Sequence, residues 1–192
     1  MQHLIVEKNT RIVALFIFTV MALAPVAHAA EIIAQTHPTL RTPFDSKISG
    51  TGFFDLAIPE RPKGEDMLEM ELLFRLARRM RYVRDAGRDH WQSPDVTEKR
   101  HAGDCEDKAI WLFSRLYSEG FTDIKLVIGK YKSMQKNYHV WVAYEHNGSL
   151  MILDPSIQNR PWKSSQMPSG FYIPKYSYTP HDKFRHRVPK MS

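Results

Sequence analysis

An Asn147-Gly148 pair lies between two alternating apolar runs, and it constrains this chain more than any other feature. Asn-Gly tolerates positive φ at both central positions of a type I′ turn, whose twist matches two flanking antiparallel strands. A two-residue loop also sets the register. His146 then faces Ser149 and, counting back, Trp141 faces Asp154. Strands are expected at Tyr138 to Glu145 and Leu150 to Asp154, with another at Ile124 to Tyr131. His139, two residues from Trp141, shares a face with Asp154 as its diagonal neighbour, about 7 Å away at the backbone and within reach of an imidazole and a carboxylate. A three-residue loop would shift the register by one and separate them.

The residues ahead of the hairpin read as helices. From Glu65 to about Arg84 the positions Leu68, Leu72, Leu73, Leu76, Met80 and Val83 recur at three and four, the period of an amphipathic helix. Thr36 to Lys63, rich in Pro, Gly and Thr, is expected to wrap the surface. A second helix follows Gly103-Asp104-Cys105-Glu106-Asp107: Asp104 suits the N-cap, Asp107 sits three residues on, and Gly120 suits the position after the C-cap. Helix, helix, then antiparallel sheet argues for an α+β fold with helices packed on the sheet.

Composition narrows the chemistry. The chain has 192 residues, 25% of them charged and 43% hydrophobic, proportions of a globular protein. A single cysteine rules out an internal disulfide framework, a zinc ribbon and a CxxC redox site. Lys8 and Arg11, an apolar run from Ile12 to Ala24, and Ala27-His28-Ala29 read as a secretory signal peptide over 1–29, so a periplasmic or secreted location is expected. Its loss would remove Lys8, Arg11 and Glu7 and take the formal charge from +6 to +5. An exported protein with one unpaired thiol is unusual, which favours a working cysteine.

Residues 160–192 carry Arg160, Lys163, Lys175, Lys183, Arg185, Arg187 and Lys190 against Asp182 alone. They divide the mature chain into a nearly neutral domain over 30–159 and a basic, aromatic segment over 160–192 that packs on it or trails from it. Export argues against nucleic acid as the partner of this segment. An anionic envelope surface and an acidic protein substrate both fit its charge.

Thiol catalysis needs a thiolate, a base to hold its proton and a group to orient the base. Cys105 falls at a helix start, where free amides and the helix dipole favour an anion, while His139 and Asp154 share a sheet face. Each also has an ordinary explanation: a small buried residue, a strand histidine, and a turn former before Pro155. Asp104, Glu106 and Asp107 crowd the thiol and oppose its ionisation, so something must offset them unless they serve only as helix caps.

Taken together, Trp91-Gln92-Ser93-Pro94, Gly103-Asp104-Cys105-Glu106-Asp107-Lys108-Ala109, Tyr138-His139-Val140 and Leu153-Asp154 resemble the bacterial transglutaminase-like cysteine proteinases, the LapG-type periplasmic adhesin proteases. The resemblance spans roughly residues 65 to 157. It implies a papain-like fold, with Cys105 as nucleophile, His139 as general base and acid, and Asp154 as its orienter. It further implies Trp91 as an oxyanion donor, although a core or lid aromatic is the other reading. Calcium on Asp104 and Glu106 would be the cofactor, with no organic cofactor. The implied function is an exported cysteine protease that cuts a cell-surface or envelope protein, such as a large adhesin, at an extended linker of small residues. A transamidase and a non-catalytic envelope-binding module remain the alternatives, since water and an amine resolve the same acyl-enzyme.

Overall fold

The computed structural model describes residues 33–36, 40–59, 66–132, 134 and 136–187. The signal peptide expected over 1–29 lies outside the described residues. Among these, no helix is long and apolar enough to cross a membrane.

Among the described residues, four α-helices and nine strands follow in the order β1 (Ile33–Thr36), α1 (Asp45–Ser49), α2 (Met67–Arg79), β2 (Arg81–Tyr82), α3 (Pro94–Arg100), β3 (Ala102–Gly103), α4 (Cys105–Ser118), β4 (Ile124–Tyr131), β5 (His139–His146), β6 (Ser149–Leu153), β7 (Trp162–Lys163), β8 (Tyr172–Tyr178) and β9 (Lys183–Arg187). Seven strands form one sheet in the order β1-β9-β8-β4-β5-β6-β7, and every neighbouring pair is antiparallel. The short β2 and β3 pair in parallel. Helices therefore pack on an antiparallel sheet, the α+β arrangement that the element order predicts.

The hairpin forms as its turn requires. Asn147 and Gly148 both take positive φ, 47° and 67°, and His146 pairs with Ser149 through to Val142 with Leu153. Helix α4 is the central element. Asp107, at its third position, accepts the backbone N–H of Asp104 at 3.2 Å, and Gly120 leaves the helix at φ 92°. Its residues Ile110, Leu112, Phe113 and Leu116 are fully buried among α2, α3 and one face of the sheet. Each such side chain contributes about 1.5–3 kcal/mol by leaving water. A smaller cluster of Val127, Trp141, Ala143 and Ile152 covers part of the other face, with Met167 and Tyr172 against it.

Three expectations need correction. Helix α2 ends at Arg79, because the chain turns extended at Met80 and Arg81 N–H pairs with His101 O at 2.9 Å. Its buried side is Met70, Phe74 and Ala77, whereas Leu68, Leu72 and Leu76 are 79%, 56% and 42% exposed. The helix carries two apolar stripes, and docking on α4 selects the one that holds an aromatic ring. Within the segment expected to wrap the surface, Phe44, Ile48 and Phe53 insert into the main core. Finally, residues 172–187 do not trail: β8 pairs with β4 in the middle of the sheet, and β9 joins β8 to β1.

Gly129 permits this insertion. At the bulge where β8 shifts register on β4, a Cβ on Gly129 would run into the Ile173 carbonyl and the Trp141 ring. Only a residue without a side chain lets the two backbones approach so closely.

Candidate active site

The register set by the hairpin carries His139 to Asp154. His139 Nε2 lies 2.6 Å from Asp154 Oδ2, with the histidine 8% exposed and the aspartate fully buried. A contact this short between an imidazole and a carboxylate is charge-assisted whenever the ring is protonated. The Asp154 carboxylate divides its oxygens between two tasks. Oδ1 accepts the backbone N–H groups of Ser156 at 3.0 Å and Ile157 at 3.3 Å, a turn built on the aspartate before Pro155. Oδ2 takes His139 and also the Tyr172 hydroxyl at 2.8 Å. Asp154 is thus both a turn former and the partner of His139, two roles that sequence reasoning sets against each other.

Tyr172, on β8, lies 18 residues beyond Asp154 in a segment to which no sequence motif assigns a role. Gln158 is another such residue: its Oε1 accepts Asp154 N–H at 3.2 Å. Lys108, three residues after Cys105, is buried, and its ammonium donates to Met80 O at 3.2 Å and Pro155 O at 3.1 Å. It ties the end of α2 to the turn after Asp154. Burial, aided by Arg78, pulls its pKa down to about 8, while Asp154 pulls the other way.

Cys105 opens α4, and the Val140 backbone N–H, one residue beyond His139, favours its thiolate. The helix thus places the thiol against the strand that bears the histidine. The thiol itself donates to Glu106 Oε2 at 3.0 Å rather than to His139. Position at a helix start would lower a thiol pKa. Here burial, then Glu106, then Asp104 push it well above the ordinary value and outweigh the helix end. The structure therefore brings His139 and Asp154 together and sets Cys105 beside His139's strand, with its proton held by a carboxylate.

The carboxylates form a larger group than the motif reveals. Donor atoms of Asp104, Cys105 and Glu106 lie within 4.8 Å of one another, as do those of Asp85, Asp89 and Glu106. Burial, and then Asp104, push the Glu106 pKa from its ordinary 4.5 to about 9. Burial first, with Asp85 and Asp89 adding their charge, raises that of Asp104. Asp104 Oδ1 is buried with no hydrogen-bond partner. A carboxylate oxygen left unpaired among other carboxylates is costly without a cation, and the oxygen-rich donor set fits a hard divalent ion. Sequence reasoning missed Asp85 and Asp89; they lie 15 or more residues before Asp104 and are brought in by the chain leading from β2.

Trp91 is 7% exposed and stacked on Phe44, with ring centroids 6.0 Å apart. Its Nε1 is buried and makes no hydrogen bond of good geometry, though it lies near enough to Asp89 to help hold that carboxylate charged. Gln92 donates its backbone N–H to Asp107 Oδ1 at 2.8 Å and its side-chain amide to the other oxygen, so it serves the α4 cap.

No family model matches the chain, and no curated protein matches it. Solved structures do. Legionella pneumophila LapG matches at 19% identity over 76% of this chain and 80% of its own, with a TM-score of 0.55. The calcium-bound form of that protein matches at 20% identity over 73% and 78%, with a TM-score of 0.52, and the EGTA-treated form at 19% over 76% and 79%, with 0.55. At these identities the likeness establishes architecture, and this chain has the LapG fold.

Proposed function

We propose that this protein is an exported cysteine peptidase of LapG type, acting through Cys105, His139 and Asp154. The observation that carries the reading is the buried 2.6 Å contact of His139 with Asp154, on the strand against which α4 places the only cysteine of the chain. With Nε2 committed to Asp154, Nδ1 is the ring nitrogen free to take the thiol proton. The thiolate attacks the scissile carbonyl carbon, and the tetrahedral intermediate breaks its C–N bond as His139 returns the proton to the leaving amine. Water, deprotonated by His139, then cleaves the thioester. Cys105 N–H, one of the first-turn amides that α4 cannot pair internally, donates to the oxyanion, and the Trp91 indole, which makes no hydrogen bond of good geometry and lies near Asp89, supplies a second donor.

The raised thiol pKa is consistent with a chain awaiting a cation. Asp104 and Glu106, with Asp85 and Asp89, would hold calcium, whose charge cancels the carboxylates that oppose thiolate formation. Glu106 would then no longer need to hold the thiol's proton, and the thiol would be free to turn toward His139. The fold shared with a protein solved in calcium-bound and EGTA-treated forms supports this reading. The substrate is a surface or envelope protein, and an acidic stretch of it suits Arg160, Lys175 and Arg185.

Labelling Cys105 with iodoacetamide or a peptidyl vinyl sulfone tests the reading. Rapid labelling with calcium, lost in His139→Ala, is expected. A pH profile with one transition near the ordinary thiol value, unmoved by His139→Ala, would refute the triad. In cells, identical surface-protein release from wild type and an exported, folded Cys105→Ala strain would refute the protease and favour a binding module.

A further inference from the structure

The β5–β6 ladder ends at the pair Val142 and Leu153, so it reaches neither His139 nor Asp154. Asp154 begins a turn closed on itself. Its carbonyl accepts the Gln158 N–H at 3.0 Å, its own N–H donates to Gln158 Oε1 at 3.2 Å, and its Oδ1 takes the Ser156 and Ile157 N–H groups. Its Oδ2 is held from the sheet, by His139 on β5 and Tyr172 on β8. Cys105 rides on α4, and the link between that helix and the turn is made elsewhere.

Lys108 makes that link. It stands three residues after Cys105, one turn along the same side of α4, and is buried. Its ammonium donates to Pro155 O at 3.1 Å, to Met80 O at 3.2 Å and to Arg78 O at 3.5 Å. We infer that Lys108 is a positioning residue for the proposed reaction, holding the turn that carries Asp154 to the helix that carries Cys105. The inference rests on the peptidase reading and deepens it.

The route from the ammonium to the catalytic carboxylate is one peptide unit long. Pro155 C=O and Ser156 N–H belong to the same planar peptide. Lys108 holds its oxygen, and its N–H donates to Asp154 Oδ1 at 3.0 Å. Fixing the carbonyl therefore aims the N–H, and the N–H fixes the carboxylate whose other oxygen orients His139. The far side of the link is firm. Arg78 and Met80 close α2, where the last carbonyls lack partners within the helix and the helix dipole favours a cation. Helix α2 packs on α4, and β2, which follows Met80, pairs with β3 just ahead of Asp104 and Cys105.

Packing alone does not call for a lysine at this place. Burying an ammonium costs desolvation, which neutral carbonyls offset only in part, and methionine would fill the same space without that cost. Methionine has no donor for the Pro155 carbonyl. Three N–H groups of one ammonium, by contrast, match three carbonyls from two segments distant in sequence. None of these bonds goes to the thiol or the imidazole, so Lys108 acts on them through the turn. The reacting groups work together only in near-attack geometry, and a misplacement of about 1 Å costs on the order of 10²-fold in rate.

The test compares the mature, calcium-loaded protein with Lys108→Met, which keeps the length and removes the donors, and Lys108→Gln, whose shorter amide stays polar but cannot span both segments. kcat and KM are measured on a quenched-fluorescence peptide of small residues, well below the Tm of each variant. Proton NMR follows the downfield resonance of the His139–Asp154 hydrogen bond, which needs neither substrate nor turnover. Lys108→Met should lower kcat about 10²-fold with KM within about twofold of wild type, and should shift or broaden the resonance; Lys108→Gln should do the same. A role confined to stability would lower the Tm and leave the kcat of the folded protein and the resonance unmoved. That result, or failure of both variants to fold, would overturn the positioning role and leave the peptidase standing. A wild type that cleaves nothing and whose Cys105 resists iodoacetamide would overturn the peptidase and the positioning role with it.

Discussion

Replacing Asp154 with Asn separates the two tasks of that carboxylate. Asn keeps an Oδ1 acceptor for the backbone N–H groups of Ser156 and Ile157, so the turn before β7 survives. On the other branch an NH₂ replaces the oxygen that faces His139 Nε2 and the Tyr172 hydroxyl. Nε2 must then accept a hydrogen bond, which places the ring proton on Nδ1, where it cannot take a proton from Cys105. Such a reversal of tautomer lowers turnover in Ser-His-Asp hydrolases by about 10⁴, and a loss of roughly 10³–10⁴ in kcat is expected here. The structural cost is smaller. Losing one charged acceptor costs about 1–3 kcal/mol, or roughly 2–4 °C of Tm for each kcal/mol in a chain of this size. The assay pairs kcat/KM on a cleavable peptide with a melting curve of the same preparation. A folded variant whose turnover stays within about tenfold of wild type would refute the reasoning, because a base in the wrong tautomer cannot be nearly as active.

Glu106 makes a pH-dependent prediction. Its pKa rises from 4.5 to about 9 on folding, so the folded chain holds a proton that the unfolded chain has lost. Stability without calcium should therefore fall as pH rises through that window, and Glu106→Gln should flatten the fall. Calcium should raise the wild-type Tm and leave Glu106→Gln nearly unmoved; a Tm indifferent to calcium and chelator would refute the cation site. Tyr172→Phe removes one of the two donors on Asp154 Oδ2 and keeps the ring, so kcat should drop about tenfold with KM little changed, while unaltered kcat would make the hydroxyl merely structural. Gly129→Ala forces a Cβ against the Ile173 carbonyl and should cost about 1–3 kcal/mol in a urea titration, with no loss if the bulge is freer than it looks.

Local chemistry made part of this protein legible from its residues alone. The Asn147-Gly148 turn needs only its own backbone dihedrals, and once it forms, period two dictates that His139 and Asp154 share a face. The start of α4 is equally local, since Asp107 caps a backbone N–H three residues away. Tertiary structure decided the rest. Helix α2 has two apolar stripes of the right period, and packing against α4 buries Met70 and Phe74 while Leu68 and Leu72 stay in water. Asp85 and Asp89 join Glu106 only after the chain folds back from β2, because nothing in a linear spacing marks carboxylates that converge from different segments. Tyr172 reaches Asp154 because β8 inserts between β4 and β9, an order set by long-range strand pairing. The thiol's resistance to ionisation is likewise tertiary: the helix end that favours its anion is local, and the burial and gathered carboxylates that oppose it are not.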